Sequence, residues 1–160
     1  MMNNRVLMYK ECRQIAQFSQ EDAALLLVVS VRQLSDYENG HAKVPDDVVD
    51  RMAEQYNAPL LAIWHMKETP LGKKWLPDFF PTQASSDVWM QTRLACNDAK
   101  SAEDAILSAL SDGELCDTDI EHIDAYIQHN NASVGKMMSA KAYVQKAKNE
   151  IMRSVEPATA

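Results

Sequence analysis

The sequence predicts an all-α protein in two helical parts joined by a linker. Only four of the 160 residues are glycine and 46% are hydrophobic. Apolar residues recur at steps of three and four along most of the chain, which is the spacing of one helix face. Three of the six prolines fall within residues 69–86, where they interrupt this pattern. A chain of this length holds one or two small domains, each near the lower size limit for an independent core.

Residues 1–68 are predicted to contain five short helices. The first helix runs from about Asn4 to Gln17. Its inward stripe includes Val6, Leu7, Cys12 and Ile15. The second helix is predicted to begin after Ser19, because Ser19 and Asp22 resemble a capping box, which would satisfy backbone donors of the first turn. The inward face of this helix carries Ala23, Ala24 and Leu27.

The remaining three helices of this part are also marked by start and stop signals. Ser30 can cap the third helix, and Asn39 with Gly40 ends it, because glycine adopts the left-handed conformation without a Cβ penalty. A fourth helix begins near Asp46, and a fifth follows a break at residues 57–59. The inward or apolar faces of the third and fourth helices carry Leu34, Tyr37, Val48, Val49, Met52 and Ala53. The fifth helix runs through Leu60, Leu61, Ile63 and Trp64.

Residues 69–86 form the predicted linker, since Pro70, Pro77 and Pro81 would interrupt a long helix. The linker also carries large apolar groups that a solvated tether does not normally display. These groups are Trp75, Leu76, Phe79 and Phe80. We expect them to dock on an apolar surface of the chain's own domains, and the alternative is that they bind a partner.

Residues 87–156 are predicted to form a helical C-terminal domain, either a bundle or a hairpin. The first helix ends at a break at residues 112–113, the second runs from the cap candidate Asp117 to residues 130–131, and the third covers about residues 133–154. In the second helix, one face carries Ile120, Ile123 and Ile127. In the third, steps of three and four align Met137, Ala140, Val144, Ala147 and Ile151. This alignment fits either a core within the chain or a dimer interface.

The last helix also carries a basic face, which consists of Lys136, Lys141, Lys146 and Lys148. Such a face is usually solvated surface. The alternative is a second contact with DNA or with an acidic partner.

Residues 19–40 resemble, without a gap, the helix-turn-helix regulators related to phage lambda repressor and Cro, the xenobiotic-response-element (XRE) family. The residues that carry the resemblance are Ser19, Gln20, Ala24, Ser30, Glu38, Asn39 and Gly40. Flanking matches at Arg13 and Pro45, and an apolar pattern through Trp64, extend the likeness to about the first 67 residues.

The resemblance implies that the third helix enters the major groove of double-stranded DNA. The residues that would face phosphates are Gln20, Asn39, His41 and Lys43. Those nearest base edges would be Val31, Arg32, Gln33 and Asp36, with Ser30 between backbone and groove. Arg32 is the main candidate for reading guanine, because a guanidinium bonds O6 and N7 together and gives about 1–3 kcal/mol of discrimination. Gln33 is the candidate for adenine.

Three features depart from the family pattern. Val28 stands where the family commonly has a turn glycine, so the turn either takes a different conformation or is strained, because a β-branched residue disfavours positive φ. Leu25 and Leu26 replace usually polar residues and suggest extra packing against the chain or a partner. Asp36 can accept a hydrogen bond from cytosine N4 but otherwise repels phosphate.

Net charge argues against tight DNA binding by a single copy. Residues 1–68 contain seven Lys and Arg against ten Asp and Glu, a net charge of −3, and the whole chain carries −7. Four of these ten acids lie in the segment after the motif and are expected on the far side of the domain. They are Asp46, Asp47, Asp50 and Glu54. The positive charge near a duplex would come from Arg13, Arg32 and Lys43, which predicts few phosphate contacts and a modest salt dependence.

No catalytic or metal site is indicated. The three cysteines, Cys12, Cys96 and Cys116, are too few and too widely spaced for a disulfide framework or a zinc site. The acidic cluster at residues 112–121 lacks the spacing of a calcium loop. We therefore expect no enzyme activity, cofactor or metal. The N-terminus carries no signal peptide and no run of eighteen apolar residues occurs, so the expected location is the cytoplasm.

The predicted function is sequence-specific binding of a double-stranded operator by a transcriptional regulator that acts by occupancy. The family resemblance suggests a prophage or mobile-element repressor. We expect a homodimer joined through the C-terminal helices, because paired half-sites compensate for a weakly charged reading surface. The alternative is a protein-interaction module that keeps the fold and has lost DNA binding.

Overall fold

The computed structural model describes residues 4–79, 81–82 and 84–155, with side chains described from residue 8 onward. The predicted apolar groups Val6, Leu7 and Phe80 fall outside the described side chains. Every regular element in the described ranges is helical, which confirms the all-α class. The helices are α1 (Asn4–Ile15), α2 (Gln20–Leu27), α3 (Val31–Glu38), α4 (Asp46–Gln55), α5 (Pro59–Lys67), α6 (Pro70–Trp75), α7 (Ser85–Ala109) and α8 (Ile120–Val155), with a 3-10 turn at Asp117–Asp119. None of these helices is long and apolar enough to cross a membrane.

The chain forms two compact units. The first combines the described residues up to Lys73 with those from Gln145 onward, and the second comprises Lys74–Val144. In the first unit, α1 contacts α3 and α5, α2 contacts α3 and α4, and α4 contacts α5. Their shared core consists of Tyr9, Ala23, Ala24, Leu27, Leu34, Tyr37, Val44, Val48, Val49, Met52, Tyr56 and Leu61.

The prediction that Ile15 faces inward is wrong, since its side chain is 74% exposed. The inward side of α1 carries the buried Tyr9 and, further along, Cys12 and Ala16, which pack against the core. Ile15 follows Tyr9 by six residues, which at 3.6 residues per turn places it on the other side of the helix.

The turn between α2 and α3 is strained at Val28, which is one of the two outcomes predicted for this position. Val28 is the C-cap of α2, with φ 56° and ψ 46° in the left-handed region. Its side chain is 81% exposed, so no tertiary packing is lost by holding this backbone. Leu25, three residues before Val28, is 80% exposed, so the predicted packing of Leu25 within the chain is wrong. Arg51 of α4 closes the turn by donating from Nε to the carbonyl of Leu27, at 3.0 Å.

The predicted linker contains a helix, α6, that the proline count did not suggest. Pro70 occupies its first position, where a missing N–H costs nothing. The Thr69 hydroxyl accepts a hydrogen bond from the Gly72 backbone N–H at 2.9 Å and so caps the first turn. Gly72 lies against the backbone of Met66, where a Cβ would clash. Trp75 at the end of α6 is 70% exposed, so its predicted docking on the chain is wrong.

The second unit contains α7 and the first 25 residues of α8. The predicted helix end at Asn130 and Asn131 is wrong, because α8 continues unbroken from Ile120 to Val155. Asparagine lowers helix propensity by only about 0.7 kcal/mol, which packing elsewhere along the helix outweighs. Small residues are buried along α7 and this part of α8. They are Ala95, Ala102, Ala109, Ser133, Gly135, Ser139, Ala140 and Ala142.

Candidate nucleic-acid interface

The third helix presents one face to the core and the other to solvent. Leu34, Tyr37 and Glu38 of α3 are buried. Val31, Arg32 and Gln33, in its first turn, are exposed. The arrangement follows from the helical repeat, because residues three and four apart share a face. The first turn of α3 is therefore anchored from beneath and available from outside.

The exposed Lys and Arg side chains of α3 and of the segment that follows it are Arg32 and Lys43. Neither side chain forms a salt bridge with any other residue in the described ranges. Arg32 lies on the first turn of α3, and Lys43 lies in the segment between α3 and α4. Both guanidinium and ammonium groups are thus available to an external anion or base edge.

The start of α3 is fixed by a reciprocal capping box. The Ser30 hydroxyl accepts from the Gln33 backbone N–H at 3.1 Å, and the Gln33 side-chain oxygen accepts from the Ser30 backbone N–H at 2.9 Å. The sequence predicted Ser30 as a cap but gave Gln33 only a role in reading adenine. Bidentate contact with adenine requires the amide oxygen as well as the nitrogen. Gln33 would have to release Ser30 to make that contact.

The end of α3 carries an acid with a histidine beside it. Asp36 Oδ1 lies 3.7 Å from His41 Nδ1, and both side chains are partly or largely exposed. The Asp36 carbonyl also accepts from the His41 backbone N–H at 2.8 Å, which holds the two residues together. A protonated His41 would offset the repulsion between Asp36 and phosphate.

Asn39 closes the same helix through its own side chain. Its amide nitrogen donates to the carbonyl of Ser35 at 2.7 Å and lies 3.2 Å from the Ser35 hydroxyl. Gly40 follows with φ 71°, the left-handed conformation predicted for the helix stop. The segment that carries His41 and Lys43 therefore leaves α3 in a defined direction.

A buried ion pair ties α1 to α3 and removes one predicted cation from the interface. Arg13 donates from Nε to Glu38 Oε1 at 2.6 Å and from Nη2 to Glu38 Oε2 at 2.9 Å. Its third donor, Nη1, reaches the carbonyl of Phe18 at 2.8 Å. Arg13 is only 7% exposed. The prediction that Arg13 supplies positive charge to a duplex is wrong, because its guanidinium is enclosed and neutralised.

Gln20 belongs to the same network. Its amide nitrogen donates to Glu38 Oε2 at 2.9 Å, so one carboxylate joins α1, α2 and α3. The hydrogen bonds from Arg13 itself to Glu38 raise the pKa of Arg13, so its guanidinium stays charged. From the sequence, Glu38 was predicted only as part of the closing motif of α3. Glu38 follows the inward-facing Leu34 by four residues and Tyr37 by one, so the helical repeat places its carboxylate on the buried face. A buried carboxylate needs a cation, and this was the signal in the sequence.

No metal site was found in this part or elsewhere in the described ranges, where no three His, Cys, Asp or Glu side chains are placed to hold an ion. Cys12 is a free thiol. Burial raises its pKa to about 11, so the thiol stays protonated at neutral pH.

Comparison with known proteins agrees with this geometry. A family model described as helix-turn-helix matches residues 10–63. The matched range begins within α1 and ends within α5, so it includes the capping box of α3 and the Arg13–Glu38 pair. No curated protein and no solved structure matches the chain.

Proposed function

We propose that this protein is a prophage- or mobile-element-type repressor. The premise is that its N-terminal domain belongs to the helix-turn-helix family of XRE and lambda-repressor-like regulators. This family makes the protein a DNA-binding transcriptional regulator in kind. It would bind a symmetric double-stranded operator as a homodimer, in the cytoplasm and without catalysis. Repression would follow from occupancy of the operator.

The observation that carries the proposal is the exposed first turn of α3. Arg32 lies there without a salt bridge to any described residue. In the proposed complex Arg32 reads a guanine, and Val31 and Asp36 lie near neighbouring base edges. Asn39, His41 and Lys43 face phosphates at the end of α3. Gln20, the first residue of α2, also faces a phosphate, and its amide nitrogen donates to Glu38.

Two substitutions test the proposed roles. Arg32→Ala should lower the preference for the selected operator over random duplex, because a bidentate base contact provides about 1–3 kcal/mol of discrimination. Lys43→Ala should weaken binding to all duplexes alike, because phosphate contacts carry no sequence information. Operators are first selected from a random duplex library with the full chain, and affinities are then measured by fluorescence anisotropy.

Lys100→Ala is the matched control, since Lys100 is an exposed lysine of α7 in the second unit. It should bind both kinds of duplex as the unsubstituted protein does. If neither Arg32→Ala nor Lys43→Ala alters binding, the proposed docking of α3 is wrong.

A second candidate function is supported by the charge and exposure around the turn. Arg13 is neutralised by Glu38, Asp36 lies on the proposed reading surface, and Leu25 and Val28 are both exposed by about four-fifths. An apolar, weakly charged surface of this kind suits contact with another protein. A protein-interaction module should elute unchanged from size-exclusion chromatography when random duplex DNA is added at low salt. A DNA-binding regulator should shift to a larger species.

A further inference from the structure

A row of large apolar side chains on α8 is only about half covered by the described residues. The row consists of Ile120, Ile127, Val134, Met137 and Val144. These side chains are between 40% and 56% exposed. We call them the α8 row. It spans about 37 Å at 1.5 Å per residue.

The spacing of the α8 row is that of a two-helix contact. Ile120, Ile127 and Val134 are seven residues apart, and so are Met137 and Val144. The two sets are offset by three residues, as the a and d positions of a heptad are. The only polar members of this stripe within residues 120–144 are Asn130 and Lys141. This repeat aligns apolar side chains along the line where a second helix would pack.

The fully buried residues of α8 in this unit flank the α8 row and differ from it in size. The buried residues of this part of α8 are all small: Ser133, Gly135, Ser139, Ala140 and Ala142. A Cβ at Gly135 would clash with the carbonyl of Asp78. The helix therefore buries its small residues for close approach and leaves the larger apolar ones about half exposed. A helix with only an intrachain contact would bury its largest apolar groups instead.

We propose that the α8 row is the contact face for a second copy of this chain and that the two α8 helices run antiparallel. This inference deepens the proposed function, since it rests on the proposal that the repressor is a homodimer and names the surface that joins the copies. A twofold axis makes such a contact self-complementary and closed.

Charge distribution along α8 selects the antiparallel direction. Glu121 and Asp124 lie near its N-terminal end, and Lys136 and Lys141 lie further along. Lys136 already pairs with Asp98 at 2.6 Å. Asp124 and Lys141 are exposed, and neither forms a salt bridge with a residue in the described ranges. Parallel helices would align each of these charges with its own copy, which is unfavourable.

Antiparallel alignment brings the complementary groups together. When Ile120 faces Val144 of the second copy, Ile127 faces Met137 and Asp124 comes beside Lys141. Four members of the α8 row then meet an apolar residue, Val134 meets Asn130, and Lys141 lies opposite Ile123. The antiparallel alignment of two α8 rows thus explains both the apolar repeat and the positions of Asp124 and Lys141.

The test measures self-association of the full chain by sedimentation velocity. Ile127→Asp should raise the dimer dissociation constant by at least about tenfold, because it places a carboxylate in an apolar contact. Leu107→Asp is the matched control, since Leu107 is an exposed apolar residue of α7 outside the row, 62% exposed against 49% for Ile127. It should leave the dimer unchanged. A monomeric unsubstituted protein, or a dimer that Ile127→Asp does not weaken, overturns the proposal.

A charge exchange tests the direction independently of packing. Asp124→Lys and Lys141→Asp should each weaken the dimer, and the double variant should restore it. Failure of the double variant to restore the dimer overturns the antiparallel arrangement. Circular dichroism of each variant checks that helix content is kept.

Binding to a duplex that carries one half-site separates this proposal from the proposed function. Ile127→Asp should bind a half-site as the unsubstituted protein does and lose the gain in affinity from a full operator. A chain that dimerises through the α8 row but binds no DNA would contradict the repressor proposal alone.

Discussion

At the scale of single residues, the Arg13–Glu38 pair decides how α3 is held. Both side chains are nearly inaccessible, and together with Gln20 they join three helices through one carboxylate. Taking two charges out of water is costly, and the cost is recovered only when geometry is good and remaining donors are satisfied. Here two bonds connect the ions, and a third arginine donor reaches the Phe18 carbonyl. The pair fixes α3 in one position relative to α1.

Glu38→Gln should destabilise the protein by about 3–5 kcal/mol, because it leaves the Arg13 charge buried without a counter-ion. Urea unfolding followed by circular dichroism measures the change. Replacing both members, Arg13→Met with Glu38→Leu, should recover most of the loss. The control is Asp47→Asn, which breaks the exposed Asp47–Arg51 pair and should cost less than about 1 kcal/mol. A Glu38→Gln variant as stable as this control would show that the pair does not hold the fold.

Local signals made part of the site predictable from sequence. The caps at Ser19 and Ser30 and the stop at Gly40 were found because each depends on neighbours within about four residues. The use of Arg13 was mistaken because its partner lies 25 residues away. Whether a cation serves a duplex or a buried carboxylate is decided by tertiary packing, which no short window contains.

At the scale of elements, the last turns of α8 are part of the first compact unit. Asn57, buried after α4 with φ 50°, donates to the Lys146 carbonyl at 3.3 Å and accepts from the Asn149 amide at 3.0 Å. Arg153 donates to the Glu54 carbonyl at 3.3 Å. The matched family range ends at residue 63, yet residues some eighty further along complete the polar contacts of this unit.

Asn149→Ala should lower the stability of the full chain by about 1 kcal/mol, because it removes one side-chain hydrogen bond to a buried amide. Asn57→Gly removes the same bond while keeping the left-handed backbone. Their effects should be less than additive by at least about 0.5 kcal/mol in a double-mutant cycle measured by urea unfolding. Lys148→Ala, an exposed change on the same helix, should be neutral. Additive effects would show that the two side chains are not coupled.

Elements differed from prediction where tertiary context outweighed local preference. A break at residues 57–59 was predicted and is present. By contrast, the break at Asn130 and Asn131 was wrong, since asparagine only weakly opposes a helix that is held at other positions. The helix α6 was missed because Pro70 lies at its first position, where proline is tolerated.

At the scale of the whole molecule, a chain of net charge −7 has to bind a polyanion with few cations. With Arg13 enclosed, Arg32 and Lys43 are the main positive groups next to the proposed reading surface. Sequence alone predicted few phosphate contacts per copy, and the burial of Arg13 removes one of the three cations expected to make them. Binding in the proposed dimer must then draw on two reading helices and on shape, with less from bulk electrostatic attraction.

The salt dependence of operator binding measures this balance. Each phosphate neutralised contributes about −0.9 to the slope of log affinity against log salt concentration, so two copies with one or two contacts each should give a slope between about −2 and −4. Fluorescence anisotropy with a full operator between about 50 and 200 mM salt would measure it. Lys43→Ala should make the slope shallower by about 2 for the dimer, one contact per copy, while Lys100→Ala should leave it unchanged. A slope of about −8 or steeper would require cations far beyond α3 and the segment that follows it, and the interface defined by Arg32 and Lys43 would then be incomplete.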